Sequence, residues 1–289
     1  MANAIELAKS YVPKLDEVYK LASLTAMLDG ASDLARQGAN ANELIIPMMT
    51  MDGLADYSRN SGYVQGDVTL TNETVKCNFD RGRRFDVDVM DDLETAGLAF
   101  GRLSAQFIRD KVVPELDAFR FASYCGISGV TKKEETLADG AATVAALSAA
   151  VTAMDDEEVT ATGRYLFITP TLLQGINDMD TTKSKKVLEG FEQVIKVPQR
   201  RFYTAIKQLS GKTGEEAGGY TKATGAANIN FAIVQKDALI QYTKHAAPKI
   251  IAPENNPDAD AYVFGYRMVG IAKAYKNMLS GMYFSHDKA

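Results

Sequence analysis

The 289-residue sequence has few of the residues that usually carry chemistry: two histidines, His245 and His286, and two cysteines, Cys77 and Cys125. No HExxH motif or Cys/His cluster offers the three or four ligands that a zinc ion needs. A Ser-His-Asp triad would have to use His245, and no Gly-x-Ser-x-Gly motif accompanies it. We therefore expect no catalytic residue, no metal site and no cofactor, and we predict that the protein is not an enzyme.

Two short segments come close to known ligand-binding motifs without completing them. Gly211-Lys212-Thr213 ends like a phosphate-binding loop, but the motif needs a glycine five residues before Gly211, and that position is Ile206. The segment DVDVMDD at 86–92 has the carboxylates of a calcium-binding loop but lacks its glycine and its final glutamate. We therefore predict a polar surface loop at 210–228 and no calcium site at 86–92.

The sequence also lacks a long apolar run and a secretory leader. No stretch reaches the roughly 18 to 20 uncharged apolar residues of a membrane-spanning helix. The opening MANAIELAKSYVPKLDEVYK has no basic segment followed by an apolar one, so we expect no signal peptide. Cys77 and Cys125 are 48 residues apart and form no CxxC pair. We expect both to be reduced thiols, which fits synthesis in a cytoplasm.

A basic excess is missing as well, since the formal net charge is −5. Proteins that wrap nucleic acid tightly are usually basic, because phosphate neutralisation supplies most of that affinity. The sequence has two small basic clusters: Arg81, Arg83 and Arg84, and then Lys196, Arg200, Arg201 and Lys207. We interpret them as solvated or ion-paired side chains. Sequence-specific nucleic-acid binding is not expected, while loose contact with nucleic acid stays open.

The first third of the chain has too few apolar residues for a core of its own. Residues 2–28 have a helical pattern broken at Pro13, and 29–42 have the composition of an irregular connection. From 43 to 89 the apolar residues alternate, which predicts β structure, with Pro47 placing its strand at an edge or a bulge. We predict a projecting hairpin there. Because an isolated hairpin is marginally stable, it needs cover from elsewhere.

The strongest single pattern predicts one long helix over 90–125. Its apolar residues recur at spacings of three and four, at Leu93, Ala96, Phe100, Leu103 and Phe107. A helix of this length would extend roughly 50 Å, more than a compact domain needs. Pro114 predicts a kink.

The rest of the sequence predicts mixed α and β structure. We expect helices at 138–154 and after Pro170, strands at 164–170, 192–197, 200–206 and 231–235, and a final antiparallel pair of strands with its turn near Lys276-Asn277. The fold class is therefore α+β.

This order of elements resembles that of the major capsid proteins of tailed bacteriophages, the Hong Kong 97-type capsid fold. The likeness is greatest in LDEVYKLASLTAMLD (15–29), in residues 51–97, in FIRDKVVPELDAFRFA (107–122) and in the ending GMYFSHDKA. The resemblance implies five segments: an N-terminal arm (1–42), an extended β-hairpin loop (43–89), a peripheral domain with a long spine helix (90–159), an axial domain (160–247) and a return to the peripheral domain (248–289).

The resemblance also implies a function. Copies of the chain would form pentamers and hexamers of an icosahedral head shell around double-stranded DNA, located in the virion and assembled in the bacterial host cytoplasm. A separate scaffolding protein and a portal would be partners, with decoration proteins as an open point and only non-specific contact with DNA. The alternative is the shell protein of an encapsulin-like nanocompartment, built on the same fold. The hairpin tip at 63–68 has no lysine, so we expect no covalent crosslink of the kind some relatives form.

Candidate interface residues follow from this interpretation. On the projecting loop we expect Tyr57, Tyr63, Val64 and Val68 to be apolar anchors, because aromatic residues often dominate interface energies. Three further candidates are Arg59 on the loop and Tyr11 and Tyr19 in the arm. The alternative is that these side chains pack on their own subunit.

Overall fold

The computed structural model describes residues 23–30, 36–37, 43–90 and 105–288. Residues 2–22 of the helix predicted at 2–28 and the first part of the long helix, 91–104, lie outside these ranges. The described end of the first prediction forms only a short 3-10 helix, Ala26–Leu28. The strands are β1 (Arg36–Gln37), β2 (Glu43–Met51), β3 (Val68–Lys76), β4 (Phe79–Asp88), β5 (Thr131–Glu134), β6 (Arg164–Ile168), β7 (Gln193–Lys196), β8 (Ile206–Gln208), β9 (Tyr220–Lys222), β10 (Ile229–Gln235), β11 (Leu239–Ile251), β12 (Ala261–Ala274) and β13 (Met282–His286). The helices are α1 (Val113–Gly126), α2 (Gly140–Asp156), α3 (Pro170–Met179) and α4 (Thr182–Glu189). The fold is a mixture of helix and sheet, as predicted.

The largest sheet has five strands in the order β5-β13-β10-β6-β7. Every residue of β6 and β10 is buried, because both faces of the sheet are covered. On one face, Leu166 and Phe231 pack in a cluster with Leu147 of α2. On the other face, Phe167 meets Phe121 of α1, with ring centroids 5.1 Å apart. The strands predicted at 164–170, 192–197 and 231–235 and the helices predicted at 138–154 and after Pro170 are confirmed.

The strand predicted at 200–206 is wrong. A short 3-10 helix, Gln199–Arg201, occupies its start, and only Ile206 begins a strand, β8. Tertiary contacts override the local pattern here, because Phe202 is buried against Phe121 and Arg201 pairs with Asp117 of α1.

The predicted antiparallel pair at the end of the chain is also wrong. β12 pairs with β11 and β4, whereas β13 lies between β5 and β10 in the five-stranded sheet. A 3-10 helical connection, Lys276–Gly281, carries the chain from one sheet to the other instead of turning it back. Residues 282–286 therefore share a sheet with strands of the 160–247 segment, not with β12.

The second sheet has the order β11-β12-β4 and packs on the long helix. β4 pairs with β12 along its whole length, from Phe79↔Gly270 to Asp88↔Ala261. Its apolar residues, Phe79 and Phe85, pack in a cluster with Leu116 and Ile108 of the helical segment. Residues 79–88, which the sequence placed in the projecting hairpin, thus belong to a core sheet.

The described part of the long helix begins at residue 105 and ends at Gly126. The kink predicted at Pro114 takes the form of a wider π-helical segment, Ile108–Val112, directly before α1. Proline has no N–H to donate to the carbonyl of residue 110, so the ladder of hydrogen bonds is interrupted at this point.

The β structure predicted at 43–89 is present over 43–76 as an antiparallel hairpin. β2 and β3 pair in one register from Glu43↔Lys76 to Met51↔Val68, and β1 adds a short third strand beside Leu44 and Ile45. The loop beyond Met51 is closed at its base, where the Asp52 N–H donates to the Asp67 carbonyl at 3.1 Å.

Candidate subunit-interaction surface

The hairpin carries most of the exposed apolar surface of the described residues. Eight of the ten large hydrophobic side chains that stand out as exposed lie within residues 49–70. They are Met49, Met51, Leu54, Tyr57, Tyr63, Val64, Val68 and Leu70, here called the hairpin surface. Leu54 is fully exposed and Tyr63 is 90% exposed. Exposed apolar side chains concentrated in one segment are typical of a surface that binds another molecule.

The tip of the hairpin is held by its own backbone. The Gly62 N–H donates to the Ser58 carbonyl at 2.7 Å, and the Ser58 N–H donates to the Gly62 carbonyl at 3.3 Å, which closes a tight turn. Gly62 has a φ of 76°, a conformation that side chains rarely adopt. The flanking rings of Tyr57 and Tyr63 lie 4.9 Å apart at 58°. The two aromatic side chains are therefore oriented before any partner binds.

The sequence-predicted interface residues fall into two groups. Tyr57, Tyr63, Val64 and Val68 are all exposed, so the alternative that they pack on their own subunit does not hold within the described residues. Arg59 is exposed in the turn at the tip. Tyr11 and Tyr19 lie outside the described residues.

Sequence reasoning missed four members of the hairpin surface: Met49, Met51, Leu54 and Leu70. Their signal was available in part, since Met49 and Met51 alternate along β2 and Leu70 is the partner of Met49 in β3. What the sequence did not show is that both faces of the hairpin are open to solvent.

A buried polar cluster fixes the segment 23–30 to its own subunit. The Asp117 carboxylate on α1 accepts hydrogen bonds from the Thr25 hydroxyl (2.7 Å), the Ser23 hydroxyl (3.0 Å) and the Leu24 N–H (3.1 Å). It also pairs with Arg201 at 3.1 Å. Asp117 and Thr25 are fully buried. The part of the arm that the structure describes therefore packs on the rest of its own subunit.

Three further residues, Arg120, Gln241 and Tyr124, extend this buried polar cluster. Arg120 donates to the Thr25 hydroxyl at 2.8 Å and pairs with Asp29 at 3.0 Å. From β11, the Gln241 amide donates to the Thr25 carbonyl at 2.6 Å and to Asp29 at 2.7 Å. The Tyr124 hydroxyl donates to Gln241 at 2.6 Å, and burial raises the pKa of that hydroxyl. Helix α1, β11 and the arm segment are thus joined by one network.

The side chains of the first basic cluster, Arg81, Arg83 and Arg84, form ion pairs and hydrogen bonds within the chain. The sequence analysis interpreted them in this way. Arg81 pairs with Glu115 of α1 at 2.8 Å and donates to the Leu209 carbonyl at 2.7 Å. Arg83 donates to the Glu216 carbonyl at 2.8 Å, and Arg84 pairs with Asp86. Burial raises the pKa of Glu115, although Arg81 opposes that shift. Arg81 and Arg83 hold the loop between β8 and β9 against β4, whereas Arg84 pairs within β4.

In the second basic cluster, two of the four side chains also form ion pairs within the chain. Arg201 pairs with Asp117, and Lys207 pairs with Glu215 at 2.6 Å. Hydrogen bonds from Lys207 and from the Ser210 N–H lower the pKa of Glu215 to about 2. The Gly211-Lys212-Thr213 segment lies in this loop between β8 and β9, as predicted, but the loop predicted at 210–228 is interrupted by β9.

The described residues offer little that resembles a reactive centre. Within 23–30, 36–37, 43–90 and 105–288, no group of three or more His, Cys, Asp or Glu side chains is placed to hold a metal ion. None of the helices in those ranges combines the length and apolar character needed to cross a bilayer. Cys77 and Cys125 carry free thiols, and burial raises the pKa of Cys125 to about 11. The prominent feature is the hairpin surface.

Comparison with known proteins shows where this fold occurs. No protein-family model matches the sequence, and no curated protein matches it. The capsid of the cyanophage P-SCSP1u has a chain 14% identical, with 87% of this chain and 85% of that chain covered and a TM-score of 0.55. The capsid of Myoviridae phage XM1 is 9% identical, with 92% of each chain covered and a TM-score of 0.55.

A third solved structure belongs to a virus-like particle from Pyrococcus furiosus. It is 10% identical, and the match covers 97% of this chain and 99% of that chain with a TM-score of 0.59. The chain therefore has the fold that the subunits of these phage capsids and of this virus-like particle share.

Proposed function

We propose that the chain is the major capsid protein of a tailed bacteriophage, which assembles with copies of itself into an icosahedral shell around double-stranded DNA. The observation that carries the proposal is the hairpin surface, a long projection with exposed apolar side chains on a chain with a capsid-subunit fold. A protein that stayed alone would leave this surface in water. Repeated contacts between identical subunits cover it and close into a shell.

In this proposal the chain has the parts of the Hong Kong 97-type fold. The hairpin of β2 and β3 is the extended loop, and the helix ending at Gly126 is the spine of a peripheral domain with the sheet β11-β12-β4. The five-stranded sheet with α2, α3 and α4 forms the axial domain, which packs around five-fold and six-fold axes. Compared with the division made from the sequence, β4 and most of β11 move into the peripheral domain, and β5, α2 and β13 move into the axial one.

The hairpin surface supplies the binding energy between subunits. Burial of apolar surface contributes about 25 cal/mol per Å², so burying a large side chain such as Leu54 contributes roughly 2 kcal/mol. The preformed pair of Tyr57 and Tyr63 loses little conformational entropy on binding, which suits it to be the anchor of the contact. Arg59, Val64 and Val68 border this pair.

The remaining partners follow from the same proposal. The shell has a structural and not a catalytic role, and its location is the virion, after assembly in the bacterial host cytoplasm. A scaffolding protein and a portal take part in assembly, and decoration proteins are candidates for the outer surface. Contact with packaged DNA is non-specific, in keeping with a net charge of −5.

Expression of the chain in bacteria, followed by sedimentation and negative-stain electron microscopy, tests this function. The expected result is closed icosahedral particles or capsomer rings, and shells that protect DNA from nuclease when phage packaging components are present. A chain that remains a 31.4 kDa monomer at high concentration, with or without neighbouring gene products, contradicts the proposal.

The second candidate is the shell of an encapsulin-like nanocompartment. The nearly complete coverage of both chains in the match to the Pyrococcus furiosus particle favours it. The contents of particles purified from the native source separate the two functions. Protein cargo without DNA supports a nanocompartment, whereas genome-length double-stranded DNA supports the phage capsid.

A further inference from the structure

The outer edge of β3 is a backbone surface without a partner strand in the described residues. β3 pairs with β2 on one side only. The Asp52 N–H donates to the Asp67 carbonyl, and hydrogen-bonded pairs alternate along an antiparallel ladder. Thr69 and Thr71 therefore direct their N–H and C=O groups toward β2. Val68, Leu70 and Asn72 direct theirs away from it.

The outer edge of β2 is protected in a way that the β3 edge is not. The same alternation directs the backbone of Ile45, Pro47 and Met49 away from β3. β1 covers Ile45, and Pro47 has no N–H to offer a further strand. Thus one edge of the hairpin sheet is blocked by a short strand and a proline.

The other edge strands of the described residues are also protected. Each contains at least one lysine, arginine or proline, the residues that natural proteins place on edges to prevent pairing. β5 carries Lys132 and Lys133, for example, and β11 carries Pro248. In β3 the charged residues, Glu73 and Lys76, lie only in the second half of the strand. The first half, Val68–Asn72 (VTLTN), has no charge, no proline and no glycine, and all five side chains are exposed.

We propose that the Val68–Asn72 edge pairs antiparallel with the same edge of a second copy of the chain, across a twofold axis at Leu70, which places Leu70 opposite Leu70 and Val68 opposite Asn72. An antiparallel pair of identical strands brings outward-facing residues opposite outward-facing residues, so every free N–H and C=O in the segment meets a partner. It also brings the exposed side chains of Val68 and Leu70 of both copies onto one shared surface. No like charges lie within the five-residue segment to oppose the contact.

This inference rests on the proposed function, because five residues form too few ladder bonds to hold a dimer alone. It adds a contact between hairpins to the burial of the hairpin surface by neighbouring subunits. A four-stranded sheet that crosses from one copy to the next would join two subunits through backbone hydrogen bonds, which do not depend on side-chain identity.

Single cysteines test the pairing on assembled particles. In a Cys77→Ser background, Leu70→Cys places its thiol opposite its own counterpart, with Cα atoms about 5.5 Å apart in a hydrogen-bonded antiparallel pair, and a disulfide needs Cα atoms about 4.4–6.8 Å apart. Mild oxidation is expected to give a covalent dimer in most chains. Met49→Cys is the matched control: it is the cross-strand partner of Leu70 and is similarly exposed. Its counterpart would lie three strand spacings away, roughly 14 Å, and should not crosslink.

Proline substitution gives a second, independent readout. Leu70→Pro removes an edge-facing N–H of β3 and leaves the ladder to β2 intact, whereas Met49→Pro does the same on the edge that is already blocked. At least a tenfold lower yield of particles is expected for Leu70→Pro than for Met49→Pro. Equal yields, or shells without the Leu70 crosslink, overturn the pairing while the proposed function stands. An unmodified chain that forms no shell overturns the function instead, and with it the pairing that rests on the function.

Discussion

The buried carboxylate of Asp117 binds groups from two distant parts of the chain. It lies on α1 without exposure and accepts from three groups of the arm segment as well as pairing with Arg201. Asp117→Asn removes the charge and leaves Arg201 without its counter-ion, so we expect a loss of about 3 kcal/mol in the free energy of unfolding. Urea denaturation of the dissociated subunit, with and without the substitution, measures this difference in the free energy of unfolding.

The matched control for this change is Asp110→Asn. Asp110 lies one helical segment earlier and forms an exposed pair with Arg109, so its removal should leave the unfolding midpoint unchanged. Equal effects of the two substitutions would show that the buried cluster does not anchor the arm.

Glu215 provides a prediction about pH. The Lys207 hydrogen bond, followed by that of the Ser210 N–H, lowers its pKa to about 2, from an ordinary value near 4.3. A lowered pKa means that the ionised form supports the loop above the ordinary pKa, and this support is lost as the pH falls from about 4 toward 2. We expect Lys207→Met to raise the pKa of Glu215 in an NMR titration, whereas Lys212→Met in the same loop should not. A Glu215 pKa near 4.3 in the unmodified chain would contradict the contact.

Among single residues, the sequence predicted the aromatic members of the hairpin surface but not the role of Asp117. Tyr57 and Tyr63 stand in a segment with too few apolar residues to bury them, which the composition alone reveals. Asp117 is an acidic residue on a helix, and its partners are more than 80 positions away in the chain. Only the folded structure brings them together.

The hairpin is the element that distinguishes this subunit from a self-contained domain. Because Asp52 and Asp67 pair at its base, residues 53–66 can be replaced by Asn-Gly, which forms a two-residue turn between antiparallel strands. The segment has no buried side chain, so the shortened subunit should keep its unfolding free energy within about 1 kcal/mol. It should not form particles. Calorimetry and electron microscopy together check both outcomes, and normal shells would remove the tip from the interface.

Elements with a local pattern could be predicted, whereas the assignment of strands to sheets could not. The helix at 138–154 has its own cap, Asp139, and a regular apolar stripe, so its sequence is sufficient. β4 alternates like the hairpin strands, yet its phenylalanines pack on the long helix and join it to β12. β13 follows β12 closely in sequence but pairs with β10, because a 3-10 connection redirects the chain.

For the whole molecule, the prediction concerns assembly without a change of fold. Tyr63→Asp places a charge at the most exposed aromatic ring of the hairpin surface, and burying it between subunits would be costly. We expect the yield of particles to fall by at least tenfold, because interface anchors often contribute 2 kcal/mol or more, about a thirtyfold change in affinity. Met278→Asp, at an exposed position outside the hairpin, should assemble normally. Similar losses in both variants would argue against a specific anchor.

The sequence indicated that the first third of the molecule has too few apolar residues to bury itself. The structure limits this conclusion to a shorter segment. Residues 23–30 and 79–88 are packed on their own subunit, through Asp117 and through β12. The uncovered part within the described residues is the hairpin, from about Met49 to Asn72. The order of elements was enough to predict the capsid-type fold, whereas the extent of the uncovered surface required the packing itself.

Amide hydrogen exchange of residues 51–70 in assembled and dissociated protein tests the central claim most directly. If identical chains cover the hairpin, its amides exchange rapidly in the dissociated subunit and at least tenfold more slowly in the particle, while the buried strand β10 is protected in both. Equal exchange of residues 51–70 in the two states would contradict the account.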